Sequence, residues 1–131
     1  MRLLAIPSFP RLNTTPLASV RLEEGSVIVE ADDEQEQRIQ IIMGPYQAMR
    51  MTTADCFILP PGTNIIPKTV YEVSESEWIS DLKRVLSVTD ETATFLNKAH
   101  HYLFPLQDDF LEVVAWDITV SSLATPVPRL S

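Results

Sequence analysis

The chain has 131 residues, of which 45% are hydrophobic and 21% charged, an ordinary globular composition that calls for a single domain around one core. Ten basic residues against 18 acidic give a net charge of -8 and a pI near 4.6, a field that repels phosphate backbones and argues against nucleic-acid binding. No apolar run reaches the ~20 residues that cross a bilayer, and the opening MRLLAIPSFPRL has too short an apolar stretch for a signal peptide, so no membrane and a cytoplasmic location are expected. The single cysteine, Cys56, has no internal disulfide partner, in keeping with a reducing compartment.

Residues 1–16 carry Pro7, Pro10 and Pro16 among apolar positions, which suits an extended, irregular arm better than a helix. Residues 17–24 and 26–31 are rich in β-branched side chains and flank Gly25, so they read as strands joined by a turn or bulge. An acidic segment then leads into residues 38–43, where Ile39, Ile41 and Met43 alternate with Arg38, Gln40 and Ile42, the second arm of a hairpin. Gly44 and Pro45 interrupt the pattern before 46–52 resumes as a strand carrying Met49 and Met51. Pro60, Pro61 and Gly62 mark a turn, and 69–73 reads as a short strand.

Ser74 and Glu77 form an S-x-x-E capping box, and Trp78, Ile79, Leu82, Val85 and Leu86 recur at helical spacing, which predicts a helix over 75–87. Asp90 is placed to cap a second short helix within 90–99, although Thr92 and Thr94 oppose it. The stretch HHYLFPLQDDFLEVVAWDITV then reads as a hairpin with arms 100–107 and 110–120 and a turn at Asp108 and Asp109. Its second arm loads both faces with apolar side chains and so predicts a central strand. Residues 121–131 read as a surface tail. Together these elements predict one α+β domain, a mainly antiparallel sheet with the amphipathic helix packed on one face, its Trp78, Ile79, Leu82 and Leu86 meeting Val114, Trp116 and Ile118.

Few residues point to chemistry. Cys56 follows an acid and lies in the apolar run Cys-Phe-Ile-Leu, which favours a small buried hydrophobe over a nucleophile. His100 and His101 are adjacent, so on a strand they face opposite ways and do not chelate one metal; with no CxxC or HExxH pattern, no metal or cofactor is expected. Glu112 and Asp117 interrupt an apolar strand, either as carboxylates in a site or as partners of an arginine such as Arg38 or Arg50. No Ser/His/Asp signature or phosphate-binding glycine loop stands out.

The pattern His101-Tyr102, Asp109 and Glu112-Val113-Val114-Ala115 resembles a C-terminal hairpin signature of small uncharacterised bacterial proteins. The resemblance supports the hairpin and a bacterial source and implies no activity. The leading functional expectation is a non-enzymatic module, such as an immunity-type or inhibitor protein, that meets a basic protein partner through Glu30, Asp32, Asp33, Glu34 and Glu36. The alternative is a small enzyme or ligand-binding domain with a pocket beside the 100–120 hairpin, using His100, His101, Asp109 or Glu112. A third reading is a structural subunit that forms a homo-oligomer by burying an apolar sheet face.

Overall fold

The computed structural model describes residues 2–13, 18–59 and 66–123; the turn expected at 60–62 lies outside them, and of the tail expected over 121–131, Ser121 and Ser122 instead extend the last strand by pairing with Gln40 and Ile39 while 124 onward lies outside the described residues. The strands are β1 (Arg2–Ala5), β2 (Leu12–Asn13), β3 (Ser19–Glu23), β4 (Ser26–Asp33), β5 (Arg38–Thr53), β6 (Tyr71–Ser74), β7 (His100–Pro105) and β8 (Asp109–Ser122), with one helix, α1 (Glu77–Thr89). All pairings are antiparallel and the order is β1-β6-β7-β8-β5-β4-β2, with β3 beside β2 on the outer edge of β4. This is the α+β class expected. β8 is a central strand between β7 and β5, and its Leu111, Val113, Val114 and Ala115 are fully buried.

Local chemistry sets the connections. β3 and β4 are joined at Glu24 and Gly25, whose φ values of 50° and 81° are those a two-residue primed turn needs to match strand twist. Between β4 and β5 the buried Asp33 carboxylate accepts the N–H groups of Gln35 and Gln37, each at 2.9 Å, so this acid builds the turn. At the tip of the last hairpin the Leu106 N–H donates to the Asp109 carbonyl at 2.8 Å.

The N-terminal segment, expected to be irregular, pairs at both ends. β1 joins β6 and β2 joins β4, with Pro7 and Pro10 confined to the connection between them, where no ladder N–H is required. Within that connection the Ile6 N–H donates to the Val70 carbonyl at 3.0 Å and the Thr69 hydroxyl to the Pro10 carbonyl at 2.9 Å. At its end the Leu12 N–H reaches the Lys68 carbonyl while the same residue pairs with Asp33. One short segment thus ties together the two outer edges of a curled sheet.

β5 is a single long strand that runs through Gly44 and Pro45, with a register shift between Tyr46 and Ala48. Gly44 is needed for space, because a Cβ there would run into the Ser26 side chain on β4. Gly44→Ala is expected to cost about 1–3 kcal/mol, read as a lower urea midpoint with an unchanged slope. Ser26→Gly, which removes the obstructing side chain, should recover most of the loss in the double variant.

The helix begins two residues later than its sequence pattern suggests. Ser74 ends β6, where its Oγ accepts from the Arg2 N–H at 3.2 Å, and Glu75 follows at a φ of 52°, outside helical range. Ser76 is the cap, its Oγ accepting from the Ile79 N–H at 3.1 Å. α1 lies at the side of the sheet with no residue fully buried, and Val85 and Val88 face solvent. Trp78 packs against His101 and Arg50, while Trp116 meets Phe95 and Lys98, so the expected contact between α1 and the outer half of β8 is replaced by one at the helix start. In 90–99 only a 3-10 turn forms, Phe95–Lys98, anchored by the buried Leu96.

The main core joins Val27, Val29, Ile41 and Met43 to Phe104, Leu111, Val113 and Ala115. A smaller cluster, Tyr71, Val73 and Leu103 with Leu3, Phe57, Ile66 and Phe110 against it, borders the site described next.

Candidate functional site

His101 and Glu112 are brought together by the register of β7 and β8. Leu103 lies directly opposite Glu112 and His101 opposite Val114, so His101 is the diagonal neighbour of Glu112, a separation that long side chains bridge. Arg50 on β5 pairs with Glu112 from the other side of β8. The three side chains thus come from three adjacent strands, and the first turn of α1 sets Ser76 and Trp78 beside them.

These groups form one chain of hydrogen bonds. The Arg50 guanidinium grips Glu112 in a bidentate manner, Nε to Oε1 at 2.7 Å and Nη2 to Oε2 at 3.2 Å. His101 Nε2 lies 2.6 Å from Glu112 Oε2, and its Nδ1 lies 2.7 Å from Ser76 Oγ. An ionised carboxylate only accepts, so Nε2–H donates to it; in the neutral ring Nδ1 then accepts, and the Ser76 hydroxyl donates there while receiving the Ile79 N–H. Every polar atom of His101 is satisfied at an exposure of 3%.

Burial alone would raise the Glu112 carboxyl, but the hydrogen bonds from His101 and Arg50 outweigh it and hold the group below its ordinary 4.5. Trp78 completes the assembly. Its ring lies 4.0 Å below the Arg50 guanidinium carbon and meets the His101 ring edge-on, with centroids 5.2 Å apart.

Two clefts meet at this chain. The first, about 380 Å³, is lined by the apolar Leu3, Val73, Leu103, Phe57 and Trp78 together with His101, Glu112 and Arg50. Cys56 lies exposed on its rim, not buried as expected, because Ala54–Cys56 forms a 3-10 turn that carries the thiol off the sheet. The second, about 360 Å³, opens on the other side of Ser76 and His101, among Ser80, Lys83, Glu72 and His100.

Of the pocket residues expected from sequence, His101 and Glu112 are joined here and the other two are not. His100 does not reach Glu112; it shares the second cleft with His101, its Nδ1 2.7 Å from Glu72 Oε2 and its ring against Tyr102. Asp109 sits at the hairpin tip, paired with Thr53. The acidic run is dispersed among local tasks. Glu30 is engaged by Arg21, Asp32 by Arg38 at 3.2 Å, and Asp33 by the turn it organises, while Glu34 and Glu36 lie exposed on that turn. Asp117 accepts from the Ile118 N–H at 2.9 Å, so of the two strand carboxylates Glu112 is the one that takes an arginine.

Sequence reasoning passed over Ser76 and Trp78 as site residues. The signal was there in S-E-W, a capping serine followed two residues later by an aromatic, but it reads equally well as the start of any amphipathic helix. Among the described residues no three His, Cys, Asp or Glu side chains converge as metal ligands, and no helix is long and apolar enough to cross a membrane. No family model, curated protein or solved structure matches the chain.

Proposed function

We propose that the protein binds a small molecule in the 380 Å³ cleft beside the hairpin of β7 and β8. The observation that carries this reading is a cleft whose lining combines apolar side chains with the buried, hydrogen-bonded Glu112 and His101 and the half-exposed Arg50, the combination that lets a pocket hold a ligand body and fix its head. Arg50 spends two of its donors on Glu112 and keeps its Nη1 for a ligand, with its side chain 48% exposed. Its charge is already balanced by Glu112, and Glu77 stands at the rim, so an uncharged acceptor is favoured over an anion. The ligand class is therefore an aliphatic or aromatic carbonyl compound, such as a medium-chain acyl amide.

Trp78 lines the cleft and Trp116 does not, so a Trp116→Phe background isolates a reporter. Decanamide is expected to shift Trp78 emission saturably and to slow alkylation of Cys56. Thr52→Phe, which fills the cleft, should weaken binding at least about tenfold, equivalent to about 1.4 kcal/mol. Unchanged Trp78 emission and Cys56 reactivity across decanamide and a panel of acyl amides would count against the reading.

A further inference from the structure

We propose that Ser76 is the nucleophile of an acyl-transfer site opening on the second cleft, with His101 as its base and Glu112 as the group that orients His101. The inference goes beyond ligand binding in the first cleft, from which it differs in the side approached. Three observations carry it. The Ser76 hydroxyl, the His101 ring and the Glu112 carboxylate lie in line through contacts of 2.7 and 2.6 Å, the order of nucleophile, base and orienting acid that acyl transfer uses. Ser76 and His101 both line the second cleft, about 360 Å³, so the pair lies beside space for a substrate. Ser76 sits on a tight strand-to-helix turn, with β6 ending at Ser74, Glu75 held at a φ of 52° and α1 starting at Glu77. Such a turn presents a side chain at the helix start, where the first N–H groups lack acceptors within the helix.

The chemistry balances with water as the only co-reactant. Ser76 Oγ attacks the carbonyl carbon of an ester while its proton passes to His101 Nδ1; Glu112, bonded to Nε2–H, stabilises the imidazolium. The first N–H groups of α1, which starts directly after Ser76 and carries its positive end there, are the donors that the sequence places next to the developing oxyanion. Collapse breaks the bond to the alcohol oxygen, which takes the proton from Nδ1 and leaves an acyl-serine. Water then adds to that carbonyl, giving a proton to His101, and the proton returns to Ser76 Oγ as the acid departs. Ser80, Lys83 and Glu72 line the cleft, so the substrate is a short, polar acyl ester rather than a long lipid.

The test uses the full chain carrying Cys56→Ser, which removes the exposed thiol as a competing nucleophile. With 4-nitrophenyl acetate it should show an acyl-enzyme burst, and a fluorophosphonate probe should add to Ser76, located by peptide mass spectrometry. Ser76→Asn keeps a side chain that caps α1 but removes the nucleophile. With its melting curve as a folding control, it should lose the label and at least about a hundredfold in rate. Glu112→Gln, at a positioning residue, should lower kcat with little change in KM. Absence of label on Ser76, a label elsewhere, or hydrolysis equal in Ser76→Asn would overturn the proposal and leave decanamide binding in the first cleft unaffected.

Discussion

Glu112→Ala is expected to remove about 3–5 kcal/mol of folding stability at pH 7, because it strips a buried acceptor from two donors at once. His101 Nε2–H would face a void at 3% exposure, and Arg50 would lose the carboxylate that holds it over Trp78. Glu112→Gln keeps an oxygen for His101 and a similar volume, so its loss should be about half as large. The two variants also differ in acid. The folded carboxyl lies below its unfolded value, so the stability it contributes is complete above about 4.5 and is lost as the pH falls through the lower, folded value. The urea midpoint of the native chain should therefore drop as the pH is lowered from about 5, and Glu112→Gln should flatten this dependence. A series of urea titrations between neutral pH and about pH 3 checks both outcomes, and an unaltered slope in Glu112→Gln would assign the acid sensitivity to other carboxylates.

Phe104→Ala is expected to be as damaging for a different reason. Phe104 has no exposed surface and is among the largest fully buried side chains, packed in the cluster that links the two halves of the sheet. Its truncation should cost about 3–5 kcal/mol from lost transfer energy and the cavity left behind. Against a typical stability of about 5–15 kcal/mol, that is at least about a fifth of the total. Val88→Ala, at a position 84% exposed on α1, should stay within about 0.5 kcal/mol. Guanidinium unfolding of the two variants side by side measures the contrast; equal losses would mean that α1 carries stability its exposure does not reveal.

Much of the sheet could be read before it was seen, because period-two patterns and turn residues act locally. Val27 and Val29 against Met43 and Ile41, and the both-sided load of Leu111 to Ala115, correspond to β4, β5 and the central β8. The N-terminal pairing was hidden because edge strands of two and four residues, next to prolines, have no period to detect. The helix start was displaced because two serines compete for one cap. The strand pairing that uses Ser74 and the positive φ of Glu75 decide between them, and both are tertiary facts. At the site, Glu112 with an arginine was legible from charge in an apolar strand, whereas its union with His101 and Ser76 depends on a diagonal across β7 and β8 and on where α1 begins.

The central position of β8 has a consequence for how the chain is made. On one side of it lie β3, β4 and β5, on the other β6 and β7, and these two groups join through no strand except β8 and the short N-terminal tie. During synthesis everything up to His100 can leave the ribosome while the strand that unites both groups is still inside the tunnel. Met43 then waits for Ile118, and Thr53 for Asp109, partners far along the chain. Such distant pairing slows folding and leaves the flank of β5 open until β8 has emerged. The acids near the β4–β5 turn precede β8 in the chain, so their like charge is present to oppose association of chains whose β5 flank is still open.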